Sequence, residues 1–215
     1  MLVEQIMKKK VITLQPQATI GEALAILIEN HIRHIPIVDS DYSVIGIVSD
    51  RDIRDASPSI FTSNTNPIEM ENKIQTIMSP SVVTVHPLDF VEDIASIFYE
   101  QEFACVPVVE NNKLVGIVTE KDMLYTFIQL TGTNVQGSQI EVKVPDRPGF
   151  IPKVTAILAE RNINIVSILV YPYYPDQAYK VIVLRVQTIN PLPIISDLTA
   201  AEFEVLWPNT SEKLL

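Results

Sequence analysis

The sequence predicts an α+β protein made of two copies of a short β-α-β-β-α repeat followed by a βαββαβ module. Three observations indicate this class. Two parts of the chain match each other at an offset of about 71 residues, short apolar runs alternate with helical stripes, and a new alternating pattern begins after the polar segment 131–137. The length of 215 residues suits two or three compact units, each with its own core.

The repeat is clearest where an apolar strand is expected to end. Residues 46–52 (GIVSDRD) and 116–122 (GIVTEKD) share four identities and three like-for-like exchanges in seven positions. Further matches are Ile6-Met7 with Ile77-Met78, residues 11–13 with 82–84, and Pro36 with Pro107. A duplication of this extent indicates one structural unit that is used twice.

Each copy is predicted to contain the same elements in the same order. Thr19 and Glu22 form a capping box before the first helix, and the helix of the second copy is expected near residues 89–98. The strands are predicted at 11–14, 35–38 and 44–48 in the first copy and at 82–85, 106–109 and 114–118 in the second, and each copy ends in a further helix. The polar stretch between the copies predicts a surface connection with one helical turn near residues 68–74.

The paired motifs resemble those of a tandem pair of CBS domains. They are residues 33–38 (RHIPIV) with 46–52, and residues 103–109 (FACVPVV) with 116–122. The resemblance places repeat 1 at 1–58, a linker at 59–75 and repeat 2 at 76–130. It implies two repeats packed through their sheets into a disc with two clefts, in which an adenosine nucleotide (AMP or ATP) binds as a regulatory ligand.

The Gly-x-x-Ser/Thr-x-x-Asp pattern gives such binding a chemical basis. It ends a strand and begins a helix, so free N–H groups and the positive end of the helix dipole face an anion beside the hydroxyl of Ser49 or Thr119. The carboxylate of Asp52 or Asp122 lies on the same side of the first turn, where it can accept hydrogen bonds from ribose hydroxyls. The same residues can instead form capping boxes that satisfy only their own helix ends. The sequence leaves both interpretations open.

The two copies differ just before the shared proline. The first has Arg33-His34 where the second has Ala104-Cys105, which predicts that cationic groups suited to phosphate gather in one half. Cys105 is expected to be a buried apolar residue. The clefts are therefore predicted to be unequal.

The remaining candidate contacts are apolar or cationic. A flat base is predicted to lie between the apolar side chains of Ile35, Val106, Val11, Ile12, Val82 and Val83. Arg51 and Lys121 follow the hydroxyl by two residues, and they either add charge to a cleft or belong to a solvated helix face. The predicted nucleotide-binding residues are Thr13, Arg33, His34, Ile35, Ser49, Arg51, Asp52, Thr84, Ala104, Cys105, Val106, Thr119, Lys121 and Asp122.

A separate module is predicted after the linker at residues 131–137. Ile140, Val142 and Val144 alternate as in a half-buried strand. The further elements are a turn at 146–149, a helix that ends at 161–162, strands at 165–170 and 179–186, a helix at 193–198 and a strand at 203–207. This order predicts one sheet with two helices on one face.

Residues 142–149 (VKVPDRPG) and 162–165 (NINI) resemble an ACT domain, which we place at 138–215. The resemblance implies a ferredoxin-like fold, edge-to-edge pairing and an amino acid held at the interface. The helix N-terminus at Gly149 and Phe150 suits a carboxylate, while Asp146 and Asn164 can bond the ammonium and the side chain. Alternatively, Asp146 only caps the helix and Asn162 is its left-handed C-cap.

Composition excludes several function classes. One cysteine excludes an internal disulfide, and three histidines without ligand spacing give no reason to expect a metal. A net charge of −10 with scattered basic residues argues against nucleic acid as a partner. Apolar runs far below the roughly 20 residues of a membrane span, and an N-terminus without a secretory pattern, predict a cytoplasmic protein that does not interact with membranes.

The domain combination suggests the function. Two CBS domains and one ACT domain without a catalytic domain resemble the acetoin-utilisation accessory proteins of Gram-positive bacteria. The resemblance implies a homodimeric regulatory protein with no catalysis and no cofactor, whose partner is an enzyme or regulator of acetoin metabolism. No Ser-His-Asp set or P-loop pattern is present to suggest an enzyme. The alternative is a ligand-free adaptor that serves only dimerisation and partner docking.

Overall fold

The computed structural model describes residues 1–56 and 70–209, which divide between two compact units, Met1–Leu124 and Tyr125–Leu215. Most of the predicted linker at 59–75 and the last residues of the predicted third domain, 210–215, lie outside the described residues. None of the helices in the part of the chain that the structure describes is long and apolar enough to cross a membrane.

The first unit contains both repeats. The first repeat comprises α1 (Ile20–Asn30), β1 (His34–Val38), β2 (Val44–Ser49) and α2 (Asp50–Ala56). The second comprises α3 (Val91–Gln101), β3 (Cys105–Glu110), β4 (Lys113–Thr119) and the start of α4 (Glu120–Thr131). Each strand pair is an antiparallel hairpin, and short 3-10 turns occur at Val3–Gln5 and Ile74–Thr76. The predicted α+β class is confirmed.

The predicted first strand of each repeat is wrong in detail. Residues 11–14 and 82–85 make one parallel bridge each, from Leu14 to Ile37 and from Val85 to Val108, and form no strand. The next ladder bond in each case would need an N–H at Pro36 or at its counterpart in β3, and proline has none. The segment therefore touches the hairpin without joining it as a strand.

The N-terminal segment completes the second repeat rather than the first. Val3 is fully buried in a core with Val106 and Val118 of that repeat. Met7 lies over Gly116, where a β-carbon would come within 2.5 Å of its sulfur. Residues 70–79 complete the first repeat in the same way, and we call residues 1–8 and 70–79 the two crossing segments.

The second crossing segment makes the same contacts as the first, 71 residues further along the chain. Ile74 is fully buried in a core with Ile35 and Ile53. Met78 lies over Gly46, where a β-carbon would again come within 2.5 Å of the methionine sulfur. The segment was predicted as a surface connection with a helical turn near 68–74. Its described end is instead a core element, with the turn at residues 74–76.

The second unit confirms the βαββαβ order. It comprises β5 (Ser138–Pro145), α5 (Phe150–Glu160), β6 (Ile165–Pro172), β7 (Tyr179–Val186), α6 (Leu192–Ala200) and β8 (Glu204–Trp207). The antiparallel sheet has the order β6-β7-β5-β8. Ile140, Val142 and Val144 point into the core against Val154 and Leu158 of α5, as their alternation predicts.

Candidate functional site

Both strand-to-helix motifs form capping boxes. In the first repeat the N–H and hydroxyl of Ser49 each donate to Asp52 Oδ2 at 2.7 Å, and the N–H of Asp52 donates to Ser49 Oγ at 3.2 Å. Thr119 and Asp122 repeat these three hydrogen bonds in the second repeat. In each box the cap uses Oδ2, and the other carboxylate oxygen, Oδ1, takes no part in the cap.

A cleft of about 560 Å³ lies beside Asp52. The first repeat contributes Ser49, Asp52 and the side chains at the start of β1, while residues 79–83 and 102–105 contribute further polar and apolar side chains. We call this the Asp52 cleft. Its lining is Arg33, His34, Ile47, Ser49, Asp50, Arg51, Asp52, Arg54, Ser79, Ser81, Val82, Val83, Glu102, Phe103, Ala104, Cys105 and Glu120.

The Asp52 cleft brings together groups that the sequence assigned to different halves. Arg33 and His34 line it together with Ala104 and Cys105. The cleft lies between the two repeats and receives a pair from each. The expectation that the two clefts are unequal stays a prediction. Ser49, Arg51 and Asp52 of the predicted set also line this cleft.

Two titratable groups in the cleft are uncharged at neutral pH. Burial is the largest cause that lowers the pKa of His34 below its ordinary value of 6.5, so His34 adds no positive charge for a phosphate. Burial raises the pKa of the Cys105 thiol to about 12. Cys105 is 7% exposed, so it is a packed apolar side chain, as expected, and a poor nucleophile.

Other predicted contacts lie elsewhere. The side chains of Ile35 and Val106 are 0% exposed in the two cores, so they form no rim for a base; this prediction is wrong. β1 is buried along most of its length, and alternation cannot reveal the face of a strand that is buried on both sides. Thr13, Thr84, Thr119, Lys121 and Asp122 are not part of the Asp52 cleft.

The second carboxylate has a neighbour that sequence reasoning missed. Lys8 Nζ lies 3.1 Å from Asp122 Oδ1, the oxygen that the capping box leaves over. Lys8 is held in place by paired backbone hydrogen bonds with Ile117, of 2.9 and 3.1 Å. The offset of the repeat provides a signal that could have found it, because Ser79 of the Asp52 cleft is its counterpart.

The predicted amino-acid site is not assembled within one copy of the second unit. Asp146 Oδ1 pairs with Lys180 Nζ at 2.7 Å and does not cap α5, so the capping alternative for Asp146 is wrong. Asn164 Nδ2 donates to Gln187 Oε1 at 3.1 Å. Gly149 and Asn164 lie at opposite ends of the 11-residue α5, roughly 16 Å apart along its axis.

Each end of α5 has its own local geometry. Gly149 precedes α5 with φ 94°, and Asn162 follows it with φ 55°, which is the left-handed conformation expected after a helix. Phe150 lines a cavity of about 770 Å³ with Arg147 and Lys153, whose charges lie 5.2 and 5.1 Å from its ring centre. The Gly149 end of α5 therefore lies beside two cationic groups that suit a carboxylate.

No metal is suggested by the geometry. Within residues 1–56 and 70–209, no group of three His, Cys, Asp or Glu side chains is arranged to hold a metal ion.

The arrangement around Asp52 suits hydrogen bonding to a neutral polyol such as ribose, because its Oδ1 receives no hydrogen bond from the described residues.

Comparison with known proteins identifies the domains. The CBS domain family matches residues 3–59 and 74–128, just over half of the chain. The chain belongs to the CBS domain family. The ACT domain family matches residues 138–200, so a tandem CBS pair is followed by a C-terminal ACT domain, as the motifs predicted.

Solved CBS structures resemble the first part of the chain. One is a Vibrio cholerae protein described as an acetoin utilization protein (AcuB), with 30% identity and a TM-score of 0.54 over 62% of this chain and 95% of that one. The CBS pair of MJ0100, in complex with 5′-methylthioadenosine and S-adenosyl-L-methionine, has 34% identity and a TM-score of 0.51 over 59% and 95%. CBSX2 in complex with AMP has 26% identity and a TM-score of 0.52 over 60% and 96%.

Several relatives are longer proteins. The chain spans about a quarter of the homoserine O-acetyltransferases that it matches, in which the CBS pair is one part. CBS and ACT domains are regulatory domains and are generally not catalytic.

Proposed function

We infer that the protein is a regulatory sensor that binds an adenosine nucleotide, such as AMP or ATP, in the Asp52 cleft and carries out no catalysis of its own. The observation that carries this proposal is the second oxygen of Asp52. Asp52 lines a cleft of about 560 Å³, its Oδ2 is fixed by the capping box, and its Oδ1 receives no hydrogen bond from the described residues. The cap therefore orients a carboxylate that still has an acceptor to offer.

The rest of the cleft suits the other parts of the ligand. Val83 is 41% exposed and lies with Val82 in the lining, so both offer apolar surface to a base. Arg33 and Ser81 can bond a phosphate from the same lining. The complexes of MJ0100 and CBSX2 with adenosine ligands support the choice of ligand class.

The test is a matched pair of substitutions on α2. Asp52→Asn keeps an oxygen for the capping box but replaces the second acceptor with an amide. We expect it to weaken AMP binding in this cleft by about 1.5 to 3 kcal/mol, or roughly 10- to 100-fold, in calorimetry. Asp55→Asn makes the same charge change on the same helix outside the cleft and should leave the affinity unaltered.

If the two variants bind AMP equally well, the ribose assignment is wrong. The alternative of a ligand-free adaptor is favoured by the capping boxes, which satisfy the helix ends without any ligand. A protein that shows no thermal shift with adenosine, AMP, ATP or S-adenosylmethionine would support that alternative.

The proposal includes a homodimer formed through the ACT domain. β6 is an edge strand of the sheet, and its residues Ile168, Leu169, Val170 and Tyr171 are each about 40% exposed. An exposed apolar edge of this length is normally covered by another chain. A second copy that pairs along β6 would cover it, and sedimentation of a Val170→Lys variant should then show more monomer.

The finer assignments also belong to the proposal. The AcuB resemblance supports a cytoplasmic role in acetoin utilisation, with an enzyme or regulator of acetoin metabolism as the partner. An amino acid is a candidate ligand of the ACT domain. Its carboxylate would lie at the Gly149 end of α5, beside Arg147 and Lys153, and Asn164 would have to come from the second copy.

A further inference from the structure

Residues 8 and 79 occupy equivalent places in the two repeats. Lys8 exchanges two backbone hydrogen bonds with Ile117, of 2.9 and 3.1 Å, and Ser79 exchanges two with Ile47, of 2.9 and 3.0 Å. Each follows a methionine that lies over a motif glycine. The two side chains therefore enter the motif from the same position, but only one of them carries a charge.

The charge changes what each carboxylate can accept. Asp122 Oδ1 is paired with the Lys8 ammonium at 3.1 Å, and the Asp122 side chain is 16% exposed. Among the described residues, no cation pairs with Asp52, and the crossing segment places the neutral Ser79 in the same cleft, at the position equivalent to Lys8. A ribose hydroxyl can therefore bond Asp52 Oδ1 directly, whereas at Asp122 it must compete with an ion pair.

The surroundings extend this contrast. Lys8 is followed by two more lysines, while Ser79 is followed by Pro80 and Ser81. The charged residues that line the Asp52 cleft are three arginines and four carboxylates, namely Arg33, Arg51, Arg54, Asp50, Asp52, Glu102 and Glu120. The arginines of the Asp52 cleft are thus balanced by carboxylates, whereas the segment that pairs with Asp122 carries three consecutive lysines.

We propose that Lys8 is a specificity-determining residue that makes the Asp122 site dependent on a phosphate. A phosphate draws the Lys8 ammonium away from Asp122 Oδ1, and a ribose hydroxyl replaces it there, so adenosine phosphates bind at Asp122 and uncharged adenosine does not. Because Ser79 is neutral, the Asp52 cleft binds both adenosine phosphates and uncharged adenosine. This inference rests on the ribose-binding role proposed for Asp52 and extends that role to Asp122.

The exchange of partners is favourable only with phosphate. An ammonium that leaves a carboxylate for a phosphate still pairs with an anion, whereas one that leaves it for a neutral hydroxyl loses the attraction between opposite charges. The crossing segment therefore decides which ligand each motif accepts, although the motifs themselves are nearly identical.

Calorimetry with adenosine and AMP tests the inference in an Asp52→Asn background, which leaves the Asp122 site to be observed. With Lys8 present, we expect AMP to bind and adenosine not to bind. Lys8→Ser should allow adenosine to bind and should weaken AMP by about tenfold, the scale of one charge-assisted contact. Lys8→Gln, which removes the charge but keeps a long polar side chain, should do the same.

Two further variants are matched controls. Lys9→Ser removes the same charge from the neighbouring position and should not admit adenosine. Ser79→Lys in the otherwise unaltered chain should place an ammonium beside Asp52 and abolish adenosine binding there. Thermal unfolding of every variant establishes that it folds.

Failure of the inference can be told apart from failure of the proposed function. If Asp52→Asn removes adenosine binding but Lys8→Ser does not restore it, the role of Lys8 is overturned while the Asp52 assignment stands. If adenosine binds equally well with and without the Asp52→Asn change, and Lys8→Ser makes no difference, the ribose-reading role fails and the inference fails with it.

Discussion

The two CBS repeats carry the same strand-to-helix motif, but its carboxylate meets a different neighbour in each. Asp52 faces a cleft lined by Ser79, whereas Asp122 is paired with Lys8. The neighbour is supplied each time by a crossing segment that begins outside the repeat it completes. The shared motif therefore determines the geometry around each carboxylate, while the crossing segment determines whether a positive charge lies beside it.

The comparison depends first on the crossing segments being part of the cores. Ile74 is fully buried in the first repeat, so Ile74→Ala should lower the free energy of unfolding by about 2 to 5 kcal/mol. Ile28→Ala on α1, where the side chain is 63% exposed, should cost about 0.5 kcal/mol or less. Urea denaturation measures both, and equal effects would show that the crossing segment is not a core element.

The close approach of methionine to glycine should be equivalent in the two repeats. An alanine at position 46 or 116 would place its β-carbon 2.5 Å from the sulfur of Met78 or Met7. We expect Gly46→Ala and Gly116→Ala each to cost about 1 to 3 kcal/mol, because the methionine must move. If thermal unfolding shows a large loss of stability for only one of the two variants, the two crossing segments are not equivalent.

The smallest expected effect concerns protonation in the first repeat. Burial lowers the pKa of His34, so the unfolded chain binds a proton more readily than the folded one. Stability contributed by neutral His34 is present above about pH 6.5 and declines as the pH falls toward the lowered folded pKa. His34→Gln should flatten this decline in melting temperatures between pH 7.5 and 5.5.

The second repeat provides the control for that measurement. Cys105 is the counterpart of His34, and its pKa of about 12 leaves it protonated throughout this range. Cys105→Ala should therefore leave the pH dependence unaltered. A decline that persists in full without His34 would assign it to other groups.

The sequence predicts what depends on local pattern. The capping boxes at Ser49 and Thr119 and the alternation along β5 are short-range features, and each forms as expected. The offset of 71 residues also marks equivalent positions in the crossing segments, since Met7 and Met78 match. The α+β class could be predicted because it requires only these features.

What the sequence could not predict depends on packing between distant segments. Ile35 was expected at the rim of a site and is buried in the core, because β1 packs on both faces. The Lys8 to Asp122 contact joins residues that are far apart in sequence. The single bridge at Leu14 follows from a proline on the opposite strand, which no local pattern around Leu14 reveals.

A crystal structure grown with AMP tests the central claim most directly. We expect a nucleotide in the Asp52 cleft, with a ribose hydroxyl within hydrogen-bond distance of Asp52 Oδ1 and the base against Val83. We also expect that the Ser49 to Asp52 capping box stays intact. A nucleotide bound away from Asp52, or an Asp52 cleft that stays empty at saturating AMP, would contradict the account.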